Sequence, residues 1–167
     1  MNDPVVSEFW NEAGSLEDHE GYLARLAADP HTNAFIICFD EKPAGYFEAY
    51  WAKEDRIGAH YDADDFDQGW HVLIGDFRYR GRAFASAWMP SVSHFLFLSD
   101  CRTQRLVIEP RIDNTKMHRN LAQCGYADIK EIVFSHKRSR LGMLLRERFF
   151  DEALLIPKSN TPNIRKT

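Results

Sequence analysis

Apolar residues recur along this chain first with a helical period and then with a strand period, several times over, and the alternation sketches one folded unit. Leu16, Leu23, Leu26 and Ala27 fall at helical spacing behind Ser15-x-x-Asp18, a pattern close to a capping box, and Asp29-Pro30 follows. Residues 15–28 are therefore predicted to form a helix with those four side chains inward. Residues 33–40 are a β-rich run, Glu41-Lys42-Pro43 supplies turn chemistry and residues 45–51 are a second, aromatic-rich run, which together predict an antiparallel hairpin. On its second strand the period of two puts Tyr46, Glu48 and Tyr50 on one face, where a glutamate either points to solvent or lines a polar pocket.

Residues 70–74 read as a buried strand, and after a loop crowded with arginine and glycine comes a helix, 83–98, apolar on nearly every side. Pro90 is expected to kink or split that helix, because proline removes one intrahelical hydrogen bond. Residues 105–109 predict a short buried strand. Asp113 or Asn114 caps the helix that follows, which ends at Gly125 with Met117, Leu121 and Ala122 inward. Residues 130–134 and 141–145 supply two last strands. The order helix, hairpin, strand, helix, strand, helix, strand, strand predicts an α/β (α+β) fold, a mixed central sheet flanked by helices on both faces. Residues 1–156 make one domain, and the polar, proline-containing stretch 157–167 reads as a disordered tail or linker.

Composition narrows this picture. A chain of 167 residues fits one core burying about two-thirds of its unfolded surface, and 44% apolar against 28% charged residues describes an ordinary globule. No apolar run approaches the roughly 18 residues of a membrane helix, and the first residues lack a basic and apolar leader, which places the protein in the cytoplasm and off the membrane. Cys38, Cys101 and Cys124 have no Cys-x-x-Cys spacing, so they are expected to be reduced, small buried hydrophobes and no metal site. A net charge of −4 argues against nucleic acid as a partner. Between 53 and 68 stand Glu54, Asp55, Asp62, Asp64, Asp65 and Asp67, but Phe66, Asp67 and Leu73 occupy positions where a calcium-binding loop starting at Asp62 needs other residues. The stretch is either a solvated loop or a negative rim that attracts a cationic substrate.

The chemistry concentrates between 69 and 88. Arg78, Gly81 and Ala83 follow the buried strand in the order Arg-x-x-Gly-x-Ala, where small residues let the backbone approach a bulky anion and the free N–H groups of the helix start point at it. Such a site binds a diphosphate. There is no Gly-x-Gly-x-x-Gly and no Gly-Lys-Ser/Thr ending, so dinucleotide and nucleoside-triphosphate folds are set aside. Arg78, Arg80 and Arg82 are the natural partners of phosphate oxygens.

The spacing resembles the pyrophosphate loop of the GNAT acetyltransferases, which hold acyl-coenzyme A there. Further stretches line up in order: Ala59-His60-Tyr61-Asp62, Gly69-Trp70-His71-Val72-Leu73-Ile74-Gly75, Glu109-Pro110-Arg111-Ile112-Asp113-Asn114, His136-Lys137-Arg138 and Arg146-Glu147-Arg148-Phe149-Phe150. Together, over about residues 9–150, they closely resemble the acyltransferases of hydroxamate siderophore biosynthesis. The resemblance implies a GNAT fold and transfer of an acyl group, from acetyl- or succinyl-coenzyme A, to the hydroxylamine nitrogen of an N-hydroxylated diamine or amino acid. It implies His71 and Asp113 as the catalytic pair, although some relatives have the Asp where this chain has Arg111 and an Arg where it has Asp113. Residues 111 and 113 share a face if the strand continues that far; if the helix begins at 112, Asp113 is only a cap.

On this reading the cofactor lies along Leu73, Ile74 and Gly75 and on Arg78, Arg80, Gly81, Arg82 and Ala83, while Glu48, Tyr50 and Arg111 face the substrate. A neutral His71 imidazole takes the proton. The acidic stretch suggests an acceptor with a spare positive charge, such as N-hydroxycadaverine or N-hydroxyputrescine, and Arg111 suggests a terminal carboxylate and hence a succinyl donor. The competing readings are a GNAT enzyme acting on another amine and an acyl-coenzyme A-binding module without chemistry. Some relatives are joined to a siderophore synthetase, and the polar tail would suit a linker at such a joint.

Overall fold

Two helices precede the sheet, α1 (Pro4–Trp10) and α2 (Leu16–Ala28), in a computed structural model that describes residues 1–10 and 12–151 and, at Arg82 and Ala83, the backbone alone. The expected tail at 157–167 lies outside the described residues. In α2 the capping box forms: the Ser15 hydroxyl accepts from Asp18 N–H, and the Asp18 carboxylate accepts from Ser15 N–H. The expected inward face does not: no residue of α2 is buried, and Leu16 and Leu23 are 73% and 44% exposed. What the helix turns toward the sheet is the polar Tyr22, which reaches Glu48. α1 escaped the pattern because seven residues are too few to show a period.

The hairpin is β1 (Thr32–Phe39) and β2 (Lys42–Trp51), antiparallel. Its turn is Asp40-Glu41, both at positive φ (47° and 63°), one step earlier than expected, so that Lys42 and Pro43 already belong to the strand. There follow β3 (Gln68–Ile74), α3 (Arg82–Ser99), β4 (Arg105–Ile108), α4 (Thr115–Gln123), β5 (Ala127–Val133), β6 (Arg138–Leu145) and α5 (Arg146–Asp151). The sheet order is β1-β2-β3-β4-β6-β5, with β3 and β4 parallel and the other pairs antiparallel. α5, six residues long, was again too short to be read from period.

Alternation divides the sheet into two working faces. Phe47, Trp70, Leu106, Ile108 and Leu144 pack on Trp88, Met89, Val92 and Leu96 of α3, Leu121 of α4 and Phe149 of α5. Removing a fully buried aromatic such as Trp70 typically costs about 3–5 kcal/mol. α3 runs through Pro90 without splitting, and it is one-sided: Phe84, Phe95 and Leu98 are exposed. Ala122 of α4 is exposed rather than inward, while Leu121 is buried. The opposite face carries a smaller cluster of Tyr50, Ala52, Ile57, Val107, Ile132 and Leu141, with the polar site beside it.

All three cysteines are free, but only Cys124 is buried. Cys38 lies on the outward side of the edge strand and Cys101 in the turn after α3, which corrects the expectation that all three are core residues. Among the described residues no helix is long and apolar enough to cross a membrane.

Candidate active site

Strand register assembles the polar centre. β2 and β3 pair so that Glu48 stands opposite His71 and Tyr50 opposite Gly69, all on the face away from α3. Gly69 is required there: a Cβ on it would lie 2.1 Å from the Tyr50 ring, which folds down across that position. The Tyr50 hydroxyl thereby comes within 3.3 Å of His71 Nε2 and donates to Glu109 Oε2 at 3.1 Å. Glu109 follows β4 and shares the face of Val107, two residues before it.

His71 sits between two carboxylates. Its Nε2 is 2.9 Å from Glu109 Oε1 and its Nδ1 is 3.5 Å from Glu48 Oε2. Behind them, Lys137 Nζ lies 3.0 Å from Glu109 Oε1, and the Tyr22 and Tyr46 hydroxyls donate to Glu48 Oε1 at 2.5 and 2.8 Å. Burial alone would push the imidazole's pKa down, but the charge and hydrogen bond of Glu109, and then those of Glu48, outweigh it and raise it to about 9. Burial pushes Glu109 up, yet the His71 and Lys137 charges hold it at about 2. Glu48 is held below its ordinary value by hydrogen bonds from His71 and the two tyrosines, which outweigh its burial. The two carboxylates thus favour the imidazolium form of His71, where the sequence reading took the neutral base.

The cluster opens on a cavity of about 520 Å³. Phe9, Trp10 and Glu12 wall it on one side, with Trp10 edge-on to His71 at 6.2 Å; Arg111, Ile112 and Asp113 wall another, and Arg56, His136, Lys137 and Arg138 a third. The chain stays extended past β4, with Arg111 bridged to Ser139 and Ile112 N–H donating to the Arg138 carbonyl, and Asn114 caps α4. Asp113 is thus no cap: it faces the cavity, joined to Arg111 by two hydrogen bonds of 3.1 and 2.5 Å. Arg111 also donates to the Glu8 carbonyl at 2.8 Å. With its guanidinium so occupied, Arg111 offers no open fork for a succinyl carboxylate.

On the other side of His71 the sheet splays. β3 and β4 pair only at Gln68 with Leu106 and Gly69 with Val107, so the stretch from His71 to Ile74 has no β4 partner and borders a crevice at the strands' carboxyl ends. At its far end Gly81 caps α3 with φ of 110°, and, having no side chain, supplies no side-chain cap to the first N–H groups of the helix. Arg80 holds the strand exit, donating to the carbonyls of Ile74 and Gly75 at 2.8 and 2.6 Å and pairing with Asp3 at 3.2 Å. Arg78 forks onto the Asp76 carboxylate in solvent. The side chains of Arg82 and Ala83 lie outside the described residues.

Of the residues expected to face the substrate, Glu48 and Arg111 line the cavity; Tyr50 does not, because the room made by Gly69 draws it behind His71. The acidic stretch at 53–68 contributes only Arg56 to the cavity, and Asp67 is buried in an ion pair with Arg105, so the negative rim does not form at the site. Glu109, Tyr22 and Trp10 were given no role from sequence; Lys137, with Arg138, was expected either to help hold coenzyme A or to be solvated, and it stands instead on Glu109. Glu109 had a visible signal, an acid two residues after Val107 in a buried apolar run; Tyr22 and Trp10 arrive only through tertiary packing.

The acetyltransferase (GNAT) domain family matches residues 1–134. The chain is 47% identical over 152 residues to the N(6)-hydroxylysine O-acetyltransferase of Escherichia coli, covering 91% of this chain and 48% of that protein. It is 45% identical over 150 residues to the N(5)-hydroxyornithine:cis-anhydromevalonyl coenzyme A-N(5)-transacylase of Beauveria bassiana, covering 90% and 33%. It thus spans about half the length of the bacterial relative and a third of the fungal one. Among solved structures, the aminoglycoside acetyltransferase AAC(6')-Ib in complex with coenzyme A and kanamycin superposes with a TM-score of 0.79 at 18% identity, covering 90% of this chain and 88% of that one, a likeness of fold.

Proposed function

The chain belongs to the GNAT acetyltransferase family, and on that premise we propose that it is an acyl-coenzyme A-dependent N-acyltransferase that converts the hydroxylamine nitrogen of an N-hydroxylated diamine or amino acid to a hydroxamate, as in siderophore biosynthesis. One observation carries this reading: His71 stands where β3 parts from β4, with a crevice leading to the start of α3 on one side and a polar cavity on the other. The relatives named for hydroxylysine and hydroxyornithine acyl transfer support it. In the proposal the diphosphate rests on the α3 N–H groups, and the pantetheine arm pairs with the open edge at Leu73–Gly75 as an added strand would.

A hydroxylamine nitrogen is less basic than an alkyl amine and is largely neutral at pH 7. It attacks the thioester carbonyl, forming the N–C bond; collapse of the adduct breaks the C–S bond. The nitrogen's proton passes to His71 in its neutral form and then to the departing thiolate, so the products are hydroxamate and coenzyme A. Asp113 holds the N–OH group.

The test is coenzyme A release by thiol detection, with and without an N-hydroxydiamine and an N-hydroxy amino acid. Release with neither, but with another amine, would point to a different acceptor; acyl-coenzyme A binding with no release at all would leave a binding module. Two variants probe the parts. Gly81→Val removes the residue that tolerates φ of 110°, and is expected to weaken acyl-coenzyme A binding about tenfold or more, read by calorimetry; unchanged affinity would remove the diphosphate from this loop. Asp113→Ala is expected to raise KM for the hydroxylamine several-fold while KM for the acyl donor stays put.

A further inference from the structure

The cations of the cavity differ in whether an acid already holds them. Arg111 is forked onto Asp113, Lys137 is paired with Glu109 and Arg138 with Glu131. Arg56 also lines the cavity, yet it makes no ion pair with an acid among the described residues. Its guanidinium lies 5.7 Å from the centre of the Phe134 ring. The backbone beneath it is well fixed: Asp55 accepts from Ile57 N–H at 3.0 Å, and Ile57 is fully buried in the cluster of Val107, Ile132 and Leu141. Lys137 Nζ lies over the same Phe134 ring, and His136 stands beside it with a pKa lowered by burial and by the Arg56 and Lys137 charges. Among the described residues Arg56 is the arginine of this wall with no acid partner, and it lines the cavity.

We propose that Arg56 is a specificity-determining residue that binds a carboxylate of the acyl acceptor, so that the preferred acceptor is an ω-N-hydroxy-α-amino acid and not an N-hydroxydiamine. This rests on the hydroxylamine-acylation reading above. The planar fork of Arg56 takes a carboxylate through two parallel N–H···O bonds. Holding the carboxylate at this wall leaves the N–OH end of the acceptor to reach His71 across the cavity. Both acceptors bring an ammonium to this wall, but only the amino acid also brings the carboxylate that Arg56 holds; the diamine meets the Arg56 charge with nothing to offset it.

The experiment compares wild type with Arg56→Ala and Arg56→Lys on N6-hydroxylysine and N-hydroxycadaverine, each with acetyl- and succinyl-coenzyme A. The expected result is a wild-type preference for N6-hydroxylysine and a loss of about 10- to 100-fold in kcat/KM for it in Arg56→Ala, carried mainly by KM. N-hydroxycadaverine turnover holds or rises, because the charge that repelled its ammonium is gone, and Arg56→Lys recovers part of the loss for the amino acid. A wild-type preference for N-hydroxycadaverine, or an equal fall for both acceptors in Arg56→Ala, overturns the assignment while leaving hydroxylamine acylation standing. A fall confined to succinyl-coenzyme A means that the carboxylate read is the donor's, which also overturns it. If wild type acylates neither acceptor, both readings fail together.

Discussion

On the proposed function, replacing His71 by alanine is expected to lower kcat for hydroxylamine acylation by about 10²–10⁴-fold, the usual contribution of a positioned base, while acyl-coenzyme A affinity stays nearly intact. His71 reaches the cavity from the strand that borders the crevice, so in the proposed arrangement a proton leaving the nitrogen at the junction meets it first. Its raised pKa adds a second, sharper signature. With a value of about 9, only about one molecule in a hundred holds the neutral imidazole at pH 7, offset in part by the greater strength of that base. kcat/KM for a neutral hydroxylamine therefore rises through neutrality and levels off near pH 9, and the His71→Ala enzyme loses that slope. The alanine leaves Glu48 and Glu109 facing each other unbridged, so His71→Gln, which keeps a donor between them, is the control for folding. Kinetics within about threefold of wild type in both variants would make the imidazole structural.

Substituting Glu109 by glutamine should move the inflection of that pH profile down by more than one unit, toward the ordinary histidine value of about 6.5. Glu109 is fully buried, and its charge is the largest influence raising His71. Glutamine keeps the shape and a hydrogen bond to Tyr50 or His71 but removes the charge that also anchors Lys137. The change acts on stability as well. Glu109 titrates lower in the fold than in the unfolded chain, so its contribution is present above about pH 4.5 and is lost as pH falls toward 2; His71 titrates higher, so its contribution is present below about pH 6.5 and is lost as pH rises through 9. The melting temperature of the variant should fall furthest below wild type between those limits, and the gap should narrow on the alkaline side. Breaking a buried pair outright costs about 3–5 kcal/mol, and the hydrogen-bonding amide should keep the loss below that. An inflection that stays near 9 would mean that Glu109 does not set the imidazole's charge.

The hairpin, the central strand, the long helix and the capping box at Ser15 could be read from sequence, because period and caps are local properties of the chain. Strand alternation also put Glu48 on one face with Tyr46 and Tyr50, and the loop at 78–83 was legible from the small residues in it. The arrangement of the site was not. That His71 favours its cationic form depends on which residues stand opposite it, and a register pairing Glu48 with His71 while Glu109 arrives from a strand 38 residues away is a contact between distant segments. Tyr50 left the substrate side because Gly69 gave its ring somewhere to fold, and the acids at 53–68 turned away because Asp67 found Arg105. A side chain's type, its strand face and its local cap are written in neighbouring residues; its charge state and its partner are set by burial and by charges brought within a few ångströms, which only the folded chain supplies.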